Sequence, residues 1–199
     1  MEKYKNKIPL TAGIVFLLTA LVAVAKAWIS DLHRFDLSIS FSSYVGLSYF
    51  TSIMYFVSAV IMIALLIYYI AKTKMNLLKR IVYAVVMLCV FGTAFFPFNY
   101  YSEAPTPLTI NVHNDFAIAL MLATTISFIL SVIFAKSKKQ RFINIALIGY
   151  AIVFIVLYYI RFKPLFQTFF IWENLFIILL LLEFQAEQYE DNKQTGAGS

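Results

Sequence analysis

Six long runs of apolar residues constrain the fold of this chain more than any other feature. They lie at residues 8–28, 46–71, 81–96, 116–135, 142–160 and 166–184. A helix needs roughly 20 mostly apolar residues to cross the hydrocarbon core of a bilayer, whereas a strand of a membrane barrel needs about ten residues of alternating polarity. The runs are long and apolar all round, so they predict an all-α, polytopic membrane bundle of six transmembrane helices within residues 1–185.

The composition supports this prediction. Of the 199 residues, 62% are hydrophobic and 13% are charged, whereas a soluble domain is about 45–50% apolar and 25% charged. A water-soluble globule is therefore excluded. The single cysteine, Cys89, rules out an intrachain disulfide. Residues 186–199 form a polar C-terminal tail that we expect to fray in water, and its last four residues, 196–199, resemble a cloning remnant.

The positive charges predict how the bundle is oriented. Eleven lysine and arginine residues lie before the first run and in the second and fourth connections, which six spans place on one side of the membrane. They are Lys3, Lys5, Lys7, Lys72, Lys74, Lys79, Arg80, Lys136, Lys138, Lys139 and Arg141. By the positive-inside rule, both termini are cytoplasmic and the protein is a multi-pass protein of the plasma membrane. The net charge of +6 reflects this topology, so we expect no nucleic-acid partner.

An alternative interpretation treats the first run as a cleaved signal peptide. Lys3, Lys5 and Lys7 would form its positive region, and Ala25-Lys26-Ala27 would supply the small residues of a cleavage site. Removing this run would place the two termini on opposite sides of the membrane.

Mixed charge collects on the outer side of the predicted bundle. Asp31, His33 and Arg34 follow the first span, and His113 and Asp115 lie where the fourth span is predicted to open. A solvated loop explains the first group without any function. The sharper hypothesis is that these five side chains line an outward-facing polar cavity. A helix N-cap at Asn114 and Asp115 is the alternative explanation for the second group, and it leaves His113 unexplained.

Glu173 is the most pointed polar residue, since it lies within the sixth run. Seven residues of helix place it about 10 Å below the outer boundary. An acid inside a span costs about 2.5–3.5 kcal/mol on insertion scales, and it usually faces the bundle interior and has a partner. Arg161, Lys163 and Lys26 are the nearby cations. Glu173 is therefore either half of a buried pair that locks the helix register or a functional acid of a binding site or proton relay.

Known catalytic signatures are absent from the sequence. There is no His-Glu-x-x-His, no Gly-x-Ser-x-Gly and no Cys-x-x-Cys. We therefore expect no cofactor, and we assign no metal ligands.

Several short motifs carry a resemblance to known membrane proteins. They are Ser38-Ile39-Ser40 and Tyr44-Val45-Gly46 ahead of the second span, residues 92–97 at the end of the third, and His113-Asn114-Asp115. With six spans and a polar outer face, the chain resembles the DRAM/FRAG/SFK-type membrane proteins and a loosely similar uncharacterised bacterial membrane family. That resemblance implies a multi-pass protein of lipid-rich membranes. Ala23 and Ala27 also resemble the small-residue docking face on the first span of vitamin-importer substrate-binding subunits.

The leading hypothesis is an outward-facing polar cavity that binds or handles a lipid or small amphiphile, with membrane lipids as the other partners. Its candidate ligand-binding residues are Glu173, His113, Asp115, Asp31, His33 and Arg34. The alternatives are the substrate-binding subunit of a vitamin-type importer, a metal-dependent membrane hydrolase that uses His33, His113 and the carboxylates, and a protein whose role is purely structural.

Overall fold

The computed structural model describes residues 7–29, 40–46, 48–73, 75–96, 107–135, 137–160 and 168–194. These residues form helices and no strand. In chain order the helices are α1 (Ile8–Ile29), α2 (Phe41–Val45), α3 (Tyr49–Lys72), α4 (Leu77–Phe95), α5 (Pro107–Ile133), α6 (Lys138–Ile160) and α7 (Phe169–Gln194).

Five of these helices, α1, α3, α4, α5 and α6, are long and apolar enough to cross a membrane. The prediction of an all-α membrane bundle is therefore confirmed at this level. The helix α7 contains most of the sixth apolar run and continues to Gln194, but it is not among the five. The count of six spans and the cytoplasmic location of both termini stay predictions.

The six long helices form a closed ring. Around the ring, α1 packs against α3, α3 against α4, α4 against α5, α5 against α6, α6 against α7, and α7 against α1. Neighbours in the chain run antiparallel, because the links after α3 and α5 are only a few residues long. We call the end where α1 begins, at Ile8, the proximal end and the opposite end the distal end.

The short helix α2 was not predicted, because it lies just ahead of the second apolar run, which was placed at residues 46–71. In the structure α2 ends at Val45, and α3 begins at Tyr49 with a capping box formed by Ser48 and Thr51. The helix α2 packs against α1, α3 and α7. Its buried side chains are Phe41, Ser43, Tyr44 and Val45. A polar backbone segment is thus placed inside the distal half of the bundle, where its peptide groups need partners.

Side chains supply those partners at both ends of α2. Ser40 caps its start by accepting a hydrogen bond from the Ser43 N–H. At the other end, the Thr51 and Ser52 hydroxyls donate to the Val45 carbonyl over 2.7 and 3.1 Å. Hydroxyls at the start of α2 and in the first turn of α3 therefore hold α2 in place.

The helix α5 begins earlier than predicted, at Pro107 rather than at residue 116. Proline is favoured at the first position of a helix, where its missing N–H costs nothing. Asn114 and Asp115 consequently lie in the second and third turns of α5, and the prediction that they cap this helix is wrong. Nearby, α4 and α5 approach closely, since a Cβ added to Gly92 would overlap the Phe116 ring.

Candidate functional site

A cavity of about 410 Å³ lies in the distal half of the bundle. Its walls come from α2 and from α3 to α7. Polar groups line one part of it, including Ser40, Ser42, Tyr55, His113, Asn114 and Glu173. Apolar side chains line the rest, including Phe41, Leu120, Met121, Phe154, Phe169 and Phe176. Cavities of this size and mixed lining are typical of sites for small molecules.

Glu173 borders this cavity from the first turns of α7. Its Oε2 accepts a 2.7 Å hydrogen bond from the Phe41 backbone N–H, at the start of α2. Among the described residues, the partner of this carboxylate is therefore a peptide group. Lys26 is exposed at the distal end of α1, and Arg161 and Lys163 lie outside the described residues.

His113 lines the same cavity from α5 and is buried. Its Nδ1 lies 2.7 Å from the Phe96 carbonyl oxygen. That oxygen can only accept, so Nδ1 carries the proton. The ring also bonds to the backbone at Thr93. His113 thus satisfies carbonyl groups at the end of α4, where a helix leaves its last carbonyls without internal partners.

Aromatic rings pack against one another in and behind the apolar walls. The Phe41 ring meets the Phe16 and Tyr55 rings edge-on, with centroids 5.3 and 5.4 Å apart. On the opposite wall, Phe154 packs against Phe169 and Phe176, with centroid distances of 6.0 and 5.5 Å. Such offset and edge-on pairs are the favoured aromatic arrangements. Mutually packed aromatic rings therefore build much of the apolar wall.

The other predicted site residues do not join this group. Asp115 is exposed on α5 and does not line the cavity. Asp31, His33 and Arg34 lie outside the described residues. Of the six candidates, the structure brings Glu173 and His113 together.

Two observations in the described part of the chain concern the alternative functions. No group of three His, Cys, Asp or Glu side chains there is placed to hold a metal ion, although His33 lies outside it. Ala23, proposed as part of a docking face, is 0% exposed and sits in the core. Ala12, Ala20 and Ala23 of α1 thus pack inside the bundle.

A second polar cluster, at the proximal end, was missed by the sequence analysis. Glu183 of α7 is only 1% exposed. It accepts hydrogen bonds from the Ser127 hydroxyl, over 3.1 Å, and from the Ser131 hydroxyl. Tyr83 of α4 hydrogen-bonds to Glu183, and Lys79 lies within range of its charge. We call Glu183, Ser127, Ser131, Tyr83 and Lys79 the proximal cluster.

From the sequence, Lys79 was placed in a cationic connection and Glu183 was not singled out. Both are buried, with Lys79 3% exposed and its Nζ 5.8 Å from the centre of the Tyr83 ring. Helical spacing in α5 was the available indication. One face of that helix carries His113, Ala117, Leu120, Thr124, Ser127 and Ser131, which are four or three residues apart.

Comparison with known proteins found no relative of this chain. No family model, no curated protein and no solved structure matches the chain.

Proposed function

We propose that this membrane protein binds a small amphiphile in the distal cavity. The observation that carries the proposal is the lining of the cavity, where the Glu173 carboxylate and several hydroxyls face an otherwise apolar and aromatic space. A ligand with a polar end and an apolar body satisfies both parts of such a lining. Ligands with this character include lipids and small amphiphilic solutes of the membrane.

The charge of the lining indicates the chemistry of the polar end. Among the lining residues that the structure describes, Glu173 is the only acid, and none is a lysine or an arginine. A carboxylate accepts hydrogen bonds and attracts positive charge. The proposed ligand therefore carries an amine or hydroxyl donor at its polar end. Because Glu173 also holds α2 in place, ligand contact at this carboxylate is linked to the position of α2.

Native mass spectrometry from mild detergent tests the proposal. The purified protein should retain a bound molecule of a few hundred daltons, the size class that such cavities take. The Glu173→Gln variant keeps an acceptor for the Phe41 N–H but removes the charge, so it should lose most of the bound molecule. Asp115→Asn is the matched control, because Asp115 is exposed and outside the cavity. An apo mass for the wild-type protein, or equal retention by both variants, contradicts the proposal.

A further inference from the structure

A second cavity, of about 510 Å³, is a groove between α3 and α4 in the proximal half of the bundle. Its walls are apolar and include Ile63 and Ile67 of α3 and Ala84, Leu88 and Phe91 of α4. Ile67 and Leu88 are 53% and 60% exposed, so the groove opens onto the outer surface of the ring. None of its described lining residues also lines the distal cavity, and the two cavities are therefore separate sites.

The groove runs along the two helices for about the depth of one membrane leaflet. On α4 its lining extends over eleven positions, from Arg80 to Phe91, which is about 16 Å along a helix. Because α3 runs antiparallel to α4, Ile70 lies opposite the proximal end of this stretch and Ile63 opposite its deeper end. The hydrocarbon core of a bilayer is about 30 Å thick. The groove therefore has the length and the polarity to hold an extended hydrocarbon chain.

Arg80 provides the polar end of the groove. Among the described lining residues it is the only one with a charged or polar side chain. Its guanidinium donates a 3.0 Å hydrogen bond to the Thr73 carbonyl, in the link between α3 and α4. A guanidinium has five N–H donors, and the Arg80 side chain is exposed. The bond to Thr73 thus holds Arg80 at the proximal end of the groove and leaves further donors for a ligand.

The positive charge at this end is not balanced by acids of the same two helices. Neither α3 nor α4 contains an aspartate or a glutamate. Lys79 precedes Arg80 but is buried and acts on Glu183. Lys72, at the end of α3, is exposed, with its Nζ 6.0 Å from the centre of the Tyr68 ring. Two exposed cations therefore lie at the proximal ends of the helices that form the groove, and this arrangement favours an anionic ligand.

We propose that the groove binds an anionic phospholipid, with an acyl chain against its apolar walls and the phosphate bonded to Arg80. Arginine forms strong, often bidentate hydrogen bonds with phosphate oxygens, and basic pockets between membrane helices suit acidic lipid headgroups. The headgroup of a zwitterionic lipid brings a cation of its own next to Arg80 and gains less. The positive-inside rule predicts that this end faces the cytoplasmic leaflet, where anionic lipids collect. The site goes beyond the proposed distal ligand and does not depend on it.

Native mass spectrometry of the delipidated full-length protein, titrated with phosphatidylglycerol or phosphatidylcholine, tests the site. The wild-type protein should bind the first phosphatidylglycerol about fivefold more tightly than phosphatidylcholine, the effect of one cation beside an anionic headgroup. Arg80→Gln keeps an N–H donor but no charge, so it should bind the two lipids equally. Ala84→Phe places a ring in the groove and should also abolish the preference.

Arg141→Gln and Ala146→Phe on α6 are the matched controls. Both side chains are exposed and neither lines the groove, so both variants should keep the wild-type preference. Equal binding of the two lipids by the wild-type protein overturns the proposal, as does a preference that survives either groove variant. A loss in Arg141→Gln equal to that in Arg80→Gln also overturns it, because the attraction is then diffuse. Retention of the distal amphiphile by Arg80→Gln is measured in the same spectra, so failure of this site is distinguishable from failure of the distal cavity.

Discussion

The Glu173 carboxylate accepts a 2.7 Å hydrogen bond from the Phe41 backbone N–H, and the two residues are 132 positions apart in the chain. This bond fastens the start of α2 to α7, while Thr51 and Ser52 of α3 hold its last carbonyl. A five-residue helix has little stability of its own. Contacts with the neighbouring helices therefore stabilise α2. This helix forms one wall of the distal cavity.

Removal of the Glu173 carboxylate should destabilise the protein. Glu173→Ala leaves the Phe41 N–H without its acceptor, which costs about 1–3 kcal/mol of unfolding free energy for a buried group. Glu173→Gln retains an acceptor oxygen and should lose less. The measurement is thermal unfolding in mild detergent, followed by tryptophan fluorescence. Identical melting temperatures for the two variants would contradict this account of α2.

The close approach of α4 and α5 should make Gly92 intolerant of any side chain. The methyl group of Gly92→Ala overlaps the Phe116 ring, and overpacking of this kind costs about 1–3 kcal/mol. Phe116 stacks on Phe96, whose carbonyl is bonded to His113, so ligand retention should also fall. Gly149→Ala on α6 is the control, since nothing lies within 4 Å of its added Cβ. A Gly92→Ala protein as stable as Gly149→Ala would show that the two helices are not packed this way.

The effect of removing the Lys79 charge on stability should depend strongly on whether the Glu183 charge is present. Lys79→Met leaves the buried Glu183 without a compensating cation, a change that costs about 3 kcal/mol in comparable buried pairs. The double variant Lys79→Met/Glu183→Met removes both charges and should recover most of that loss. Lys138→Met, an exposed cation of the same end, should change stability by less than about 0.5 kcal/mol. Stability is measured by thermal unfolding. If the double variant loses the sum of the two single losses, the proposed dependence is contradicted.

Asn144 should be replaceable by an apolar side chain with a gain in stability. It is 1% exposed on α6, and neither its Oδ1 nor its Nδ2 has a partner among the described residues. Asn144→Leu keeps the branched shape and removes the desolvation penalty, worth about 1–3 kcal/mol. The melting temperature of Asn144→Leu should therefore rise, whereas Asn144→Ala should leave a void and gain less. A lower melting temperature for Asn144→Leu would mean that the amide has a partner in the membrane.

Cysteine labelling should determine the orientation of the bundle. Cys89 is buried, so the wild-type protein should not react with a membrane-impermeant maleimide. In a Cys89→Ser background, Lys138→Cys at the proximal end should react only from the cytoplasmic side, because the cationic connections are predicted to face inward. Asn111→Cys, exposed near the distal start of α5, should react only from outside. The reverse pattern would contradict the predicted topology.

The long helices could be predicted from the sequence because hydropathy is a local property. The run at 142–160 became α6, Lys138–Ile160, with the same final residue. Sequence rules for helix ends failed where two starting positions for the same helix were both acceptable. Asn114 and Asp115 are good capping residues, yet α5 starts at Pro107, and His113 in its second turn bonds to the Phe96 carbonyl at the end of α4.

The candidate site was predicted in part for the same reason. Glu173 was identified because an acid inside an apolar run is conspicuous within its own segment. Glu183 and Lys79 were not identified, since each lies near the end of an apolar run, where a charged residue usually meets water. The burial of Glu183 depends on hydroxyls of α5, which are distant in the chain, whereas the Lys79 ammonium lies near the Tyr83 ring one turn further along α4.

The sequence by itself determined that this protein is a helical membrane bundle, because the apolar runs leave each long helix no other way to satisfy its surface and its backbone. Only the tertiary structure decided that Glu173 bonds the Phe41 N–H, that α2 lies within the bundle, and that Glu183 is enclosed by Ser127 and Ser131. These outcomes depend on which helix faces meet. Packing, and the need of each buried polar group for a partner, decide which helix faces meet. In these contacts the two partners lie in different segments of the chain.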